Sequence, residues 1–454
     1  MVNYNIFKAT IITMKYFYLI IFFISLNLNA NTDQKVHQFI LKNGMKILVQ
    51  EDNRSAVVVS QVWYKVGSTY EHNGITGVSH ALEHMMFKGT KKYKAGEFSK
   101  IIAKAGGKEN AFTSRDYTAY FQRISNDKLE LCLKLEADRM KNIQLTNKEF
   151  KKEMEVIKEE RRMRTDDKPR ALASELFLST AFVSSPIRNP VIGWMNDIET
   201  LTKDDLQQWY DKYYAPNNAT LVVVGNVKAK KVYKLAKKYF GKLKKQKIPQ
   251  PKPRLEIEQN GTKLITIYSE TAKLPYLQIG YKVPSLKNIK NHKDVYALEV
   301  LAYILDGGSS ARFSKNLIRG SELAASVNTS YNPNSRLNSL FDISAIPTEK
   351  TSIEKLHLAI DKQIQQVKDG DITKEEMNRI KNTILAEKIY ALDSAFYQAM
   401  QIGISETVGL GYQTFLEYPQ KIQQITAKQV TEVAKKYLID KNKTVAILYP
   451  VKSQ

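Results

Sequence analysis

Cysteine is nearly absent from these 454 residues: Cys132 stands alone, so the chain can close no internal disulfide and complete no cysteine-based zinc or iron–sulfur site. Histidine is scarce too, limited to His37, His72, His80, His84, His292 and His357, which gives weight to any pair of them. A bound metal must rely on imidazole and carboxylate. Acidic residues are outnumbered, 46 against 69 basic, for a formal net charge of +23. The composition, 43% apolar and 25% charged with 20 Gly and 13 Pro, excludes a disordered, collagenous or polytopic membrane chain.

The excess of lysine raises the question of nucleic acid or an anionic membrane surface. The densest basic run, Lys228 to Lys247, overlays an apolar stripe of Val232, Leu235, Ala236, Tyr239 and Phe240, so its lysines read as the wet face of a helix. No aromatic residues interleave with the basic ones in the manner of a single-strand binding surface, and a nucleic-acid partner is not expected.

Residues 1–30 read as a secretory signal. Lys8 and Lys15 precede an apolar run from Tyr16 to Leu26, and Ala30 offers a small residue for cleavage. That run is too short to span a bilayer comfortably. Met14 is an alternative start. The reading implies export, to the periplasm, with an inner-membrane anchor by an uncleaved signal as the alternative.

The chain carries an internal duplication. TKDDLQQWYDKYYAPNNATLVVV (Thr202–Val224) and TAKQVTEVAKKYLIDKNKTVAIL (Thr426–Leu448) align without a gap, pairing Thr202 with Thr426, Tyr213 with Tyr437 and Thr220 with Thr444. Each predicts an amphipathic helix, a turn and an apolar strand. Residues 246–261, with Pro249, Pro251 and Pro253, read as a linker. The expected organisation is therefore two similar α+β halves, 33–245 and 262–454. In the first, Val36–Gln50 predicts a hairpin around Asn43-Gly44 and Ala56–Lys65 an alternating strand. Helices are expected at Gly77–Lys88, Phe98–Ala105, Asp127–Asn142 and Thr146–Arg164, and Phe112–Ile124 reads as strand. A mainly antiparallel sheet covered on one face by helices fits this order.

Chemistry concentrates in GVSHALEHMMFKGT, Gly77–Thr90. On a helix His80 and His84 project from one face, the spacing at which two imidazoles share one zinc ion, and Glu83 reaches the same neighbourhood, where it can take a proton from metal-bound water. This is the inverted zincin order, His-x-x-Glu-His. Catalytic zinc needs a third protein ligand. In FKKEMEVIKEERRMR, Phe150–Arg164, a helical wheel puts Glu153 and Glu160 on one face with Val156 and Ile157, while Glu155 and Glu159 point away. Glu160 is the candidate ligand and Glu153 a group that orients a histidine, because a carboxylate on an apolar face needs a positive partner. A partly buried salt bridge to an arginine is the alternative for Glu160, and a solvated acid near the helix start for Glu153.

These residues resemble the pitrilysin/insulinase (M16) family of zinc metallopeptidases. The likeness runs through LKNGMKILVQ, VWYKVGSTYE, GGKENAFTSRDYTAYF, MEVIKEERRMR, PVIGWMNDIETLT and YYAPNNATLVVVGNV, and through LDGGSSARFSKNLIRG in the second half. It implies a peptide-bond hydrolase with Zn2+ on His80, His84 and Glu160, and Glu83 as general base. It also implies that Asn110, Ala111, Phe112 and Thr113 form an edge strand to which substrate adds, and that Arg319 holds substrate near the metal. The tyrosine expected beside that arginine is Ala325 here. The two halves would form half of a clam-shell, working as a homodimer or paired with a metal-free homologue. With Leu301 set against Leu82, Ala302 and Tyr303 stand opposite Glu83 and His84, so the second half lacks the metal motif. A non-catalytic assembly or scaffold subunit is the competing function.

Overall fold

β-Branched runs separated by polar turns build two sheets, one in each half of the chain. A computed structural model describes residues 35–451 apart from 251 and 253; the expected signal, 1–30, lies outside the described residues. The first half contains β1 (Val36–Ile40), β2 (Lys46–Glu51), β3 (Val57–Tyr64), α1 (Val78–Met85), α2 (Glu97–Lys104), β4 (Lys108–Thr113), β5 (Thr118–Ser125), α3 (Leu129–Asn142), α4 (Asn147–Arg161), α5 (Pro169–Ala181), α6 (Met195–Thr200), α7 (Lys203–Tyr213), β6 (Ala219–Gly225) and α8 (Ala229–Tyr239). The second contains β7 (Lys263–Ser269), β8 (Tyr276–Val283), α9 (His292–Asp306), β9 (Ala324–Tyr331), β10 (Ser339–Pro347), α10 (Ile353–Lys368), α11 (Lys374–Ala391), α12 (Ala395–Thr407), α13 (Gln413–Gln423), α14 (Ala427–Tyr437) and β11 (Lys443–Pro450). No helix among the described residues is long and apolar enough to cross a membrane.

The sheet orders are β1-β2-β6-β3-β5-β4 and β7-β11-β8-β10-β9. Both are antiparallel except for one parallel pair, β2 with β6 and β7 with β11, so apart from β1 the second sheet repeats the first. The duplicated segment repeats to the hydrogen bond. Thr202 and Thr426 each close a capping box on a helix N-terminus, with Asp205 and Gln429. The side-chain amides of Asn218 and Asn442 donate to Tyr213 O and Tyr437 O, both at 2.9 Å.

Helices expected from periodicity form within a few residues of their expected ends. Two strand expectations change. Phe112–Ile124 is the later part of a hairpin, β4 and β5, broken by a loop at Ser114–Tyr117. β3 alternates in residue type but not in exposure: Val58 to Tyr64 are all buried. The reason is a reciprocal exchange of helices, which covers the face expected to be bare. α12 of the second half packs on β3 and β6, and α5 of the first packs on β7, β8 and β11. A Cβ at Gly403 of α12 would lie 2.1 Å from the Trp63 indole, so only glycine permits this close approach. In the mirror contact Phe177 of α5 covers Gly280, where a Cβ would meet its ring at 2.6 Å. Ser174 on α5 donates to Gln278 at 2.9 Å.

The segment expected as a linker is tied down where it is described. Arg254 donates to the Glu71 carbonyl at 3.0 Å, and Glu256 pairs with Lys282 at 2.9 Å while accepting from the Val183 and Ser185 amides.

Candidate metal centre

α1 divides its residues cleanly. Val78, Ala81, Leu82 and Met85 are buried in the core, and His80, Glu83 and His84 project from the opposite face. The helix starts after Gly77, whose φ of +87° suits glycine. Its first amides are satisfied by the buried Glu71, which accepts from Gly77 N–H at 2.8 Å and Ser79 N–H at 2.9 Å. Glu71 is thus a helix anchor.

Burial pushes the Glu71 carboxyl from an ordinary 4.5 up to about 7, against the lowering pull of those amides. Between these two values the folded state binds more protons than the unfolded one, so stability falls as pH rises through the interval. Wild type is therefore expected to lose stability relative to Glu71→Gln from about pH 4.5 to about pH 7, read by urea unfolding at each pH. Parallel curves would show an unshifted carboxyl.

α4 runs beside α1, with Met154 and Ile157 in the core and Glu153 and Glu160 toward the histidines. Ligand atoms of His80, His84 and Glu160 all lie within 4.8 Å of one another. The Glu160 Oε2 atom is 3.8 Å from His80 Nε2 and 3.3 Å from His84 Nε2. Donors bound at about 2.0–2.1 Å to a shared zinc stand no more than about 4.2 Å apart, so both distances fit the ion. Arg164 pairs with the other Glu160 oxygen at 2.5 Å, so the arginine bridge and the metal-facing oxygen coexist.

Second contacts orient the donors. His84 Nδ1 lies 2.9 Å from Glu153 Oε1, and Lys88 pairs with Glu153 Oε2 at 2.6 Å. The Glu83 Oε2 atom accepts from the Thr113 hydroxyl at 2.6 Å. His80 Nδ1 is buried with no partner among the described residues.

Burial, with His84 close by, pulls the His80 pKa down to about 3, which keeps its imidazole in the neutral form that ligates a metal. Burial raises the Glu83 carboxyl while the Thr113 bond lowers it, for a net upward shift. For His84 burial acts downward, but the Glu153 bond and the neighbouring carboxylates leave its pKa raised.

The centre opens into a groove of about 1090 Å³ walled by β4, α4, α5 and the loop at 188–192. Asn110, Ala111 and Phe112 line it along β4, the free edge of the first sheet. Val156 departs from expectation: it is 51% exposed and lines the groove with Glu155 and Glu159, because this face of α4 is a groove wall and not core. Arg319 is not brought here. It is exposed in the second half, donates to Ser309 O and does not line the groove. Thr113, Lys88 and Arg164 were not given these roles from sequence. Lys88 stands four residues after His84, just past the end of α1, and that spacing is the signal the sequence offers.

A buried charge pair lies close enough to Glu83 to lower its carboxyl. Arg139 and Glu136, each 1% exposed, form an ion pair, with Gln122 donating to Glu136 at 2.5 Å. The Arg139 guanidinium lies 4.4 Å from the Tyr120 ring centre and 4.5 Å from that of Phe98.

Residues 46–193 match the family model described as Insulinase (Peptidase family M16), and residues 200–384 match that described as Peptidase M16 inactive domain. The chain is 34% identical over 422 residues to the zinc protease PqqE of Helicobacter pylori, covering 90% of this chain and 92% of that one. It is 26% identical to the uncharacterized zinc protease YmxG of Bacillus subtilis, over 91% and 98% of the two chains. Among solved structures, a protease from Helicobacter pylori aligns with a TM-score of 0.87 at 33% identity over 92% of this chain and all of the other. The periplasmic protease PqqL of Escherichia coli aligns with a TM-score of 0.77 at 18% identity, over 92% of this chain but 48% of its own length.

Proposed function

The chain belongs to the insulinase (M16) peptidase family, and from that premise we propose that it is a zinc-dependent endopeptidase acting on peptides or unfolded segments. The observation that carries the reading is the convergence of His80, His84 and Glu160 beside Glu83. His80, His84 and Glu160 would hold the zinc ion, which would supply a Lewis acid for the scissile carbonyl and a water of lowered pKa.

Glu83 is the general base. Its burial raises proton affinity, and the Thr113 hydroxyl fixes one oxygen and leaves the other to accept a proton from the attacking water and return it to the leaving amine. Glu153 fixes the ring of His84 so that Nε2 faces Glu160. β4 presents an unpaired backbone edge along the groove, where an extended peptide gains main-chain hydrogen bonds with little demand on its sequence. Asn110, Ala111 and Phe112 are the substrate contacts in this reading.

The second half, where most of the match to the inactive domain falls, supplies shape without metal. Because this chain spans about half of PqqL, we assign a working unit of two such chains, a homodimer or a pair with a metal-free homologue, in an exported, periplasmic setting. Arg319 then acts from the second half, across the closed chamber.

The reading is tested by following hydrolysis of an unstructured peptide pool before and after chelation. Loss on chelation and return with zinc is the expected result. Activity indifferent to the chelator would end it. Replacing Glu153 by Ala is expected to weaken zinc affinity by about 10–100-fold, measured by competition with a chromophoric chelator. An unchanged affinity would reduce Glu153 to a partner of Lys88.

A further inference from the structure

The duplication extends from the fold to the cavity. Setting Leu301 against Leu82 places Glu299 of α9 where α1 carries His80. Aligning the first residues of α5 and α12, both 13 residues long, sets Gln401 opposite Glu175 and Ile404 opposite Leu178. The last residues of β4 and β9 are Thr113 and Tyr331. His80, Glu175, Leu178 and Thr113 line the metal groove, and their four counterparts line a separate cavity of about 280 Å³ in the second half. The hollow persists where the metal ligands have gone.

Its chemistry has changed in a definite direction. One oxygen of Glu299 accepts from the Tyr418 hydroxyl at 2.6 Å, while Oε2 is buried with no partner among the described residues. Burial raises this carboxyl, with Lys388 pulling it down. Lys388 also lines the cavity, but its ammonium bonds to the Tyr397 hydroxyl at 3.3 Å and lies 4.7 Å from the Tyr418 ring centre. Tyr296, Tyr331, Tyr418 and Phe415 supply aromatic walls. Among the described residues neither charge has an ion-pair partner in contact, although each feels the other across the cavity, and the π faces favour a positive group between them. Its volume lies just below the range of about 300–1,000 Å³ that holds drug-sized ligands, which suits one amino acid or a small dipeptide.

We propose that this cavity is a binding site for a free amino acid or dipeptide zwitterion, with the α-ammonium on Glu299 Oε2 and the carboxylate on Lys388. The site is independent of the proposed peptidase centre. It lies beside the first half through Tyr117, which lines the cavity from the β4–β5 loop.

The test is calorimetric titration of the full chain with each standard amino acid and with Gly-Leu, then with the N-acetyl and amide forms of any that bind. Binding by at least one zwitterion at millimolar concentration is expected, weakened about tenfold or more by acetylation and by amidation. Glu299→Gln should weaken the zwitterion to the same degree and abolish sensitivity to acetylation. Lys388→Met should abolish sensitivity to amidation. Failure of every zwitterion to bind wild type, equal binding of the blocked forms, or undiminished binding by Glu299→Gln would overturn the proposal. The blocked-ligand comparison uses wild type alone and does not depend on how the variants fold. Chelation should leave the affinity unchanged, which separates this result from the fate of the peptidase reading.

Discussion

Glu83→Gln is expected to lower the rate of peptide hydrolysis by about 10²–10⁴-fold or more while leaving zinc content near that of wild type. The substitution keeps an oxygen that can accept from the Thr113 hydroxyl and removes only the capacity to carry a proton. Initial rates on an unstructured peptide pool, with zinc measured on the same preparations, separate the possibilities. Equal rates for the two proteins would remove Glu83 from the chemistry. Loss of zinc together with activity would make it a ligand, contrary to the geometry in which His80, His84 and Glu160 form the donor cluster.

The largest stability effect is expected at Glu136. Truncation to Ala strands the Arg139 guanidinium, 1% exposed, without its counter-charge, and breaking a buried pair in this way costs about 3–5 kcal/mol. Urea unfolding should show it. The double replacement Glu136→Leu with Arg139→Met should recover most of the loss, because neither charge is then left alone in the core. A single-variant loss below about 1 kcal/mol would mean that Arg139 finds a substitute partner, for which Glu109 is the nearby carboxylate.

What could be read from sequence follows the range of the interactions involved. The His-x-x-Glu-His spacing and the Glu153 and Glu160 face are helical periodicity, a local property, and the structure gathers those side chains. The duplicated helix and strand were legible for the same reason. The wheel failed at Val156 because periodicity gives a direction and not what lies there; one side of α4 meets the core and the adjoining side meets the groove. The loop at Ser114–Tyr117 contains neither glycine nor proline, so nothing local in the sequence separates β4 from β5. Arg139 and Glu136, three residues apart on an amphipathic stretch, have the pattern of a surface pair and lie in the core. The uniform burial of β3 could not be foreseen, since its cover arrives with α12, more than three hundred residues later.

That late arrival bears on how the protein is made. As the chain leaves the ribosome, Trp63 and its neighbours on β3 must wait in water until Thr407 has emerged, and the second sheet meanwhile requires α5, already synthesised, to stay clear of other partners. Neither half separated at the linker would cover both faces of its own sheet. Two fragments expressed together should reassemble where each alone precipitates.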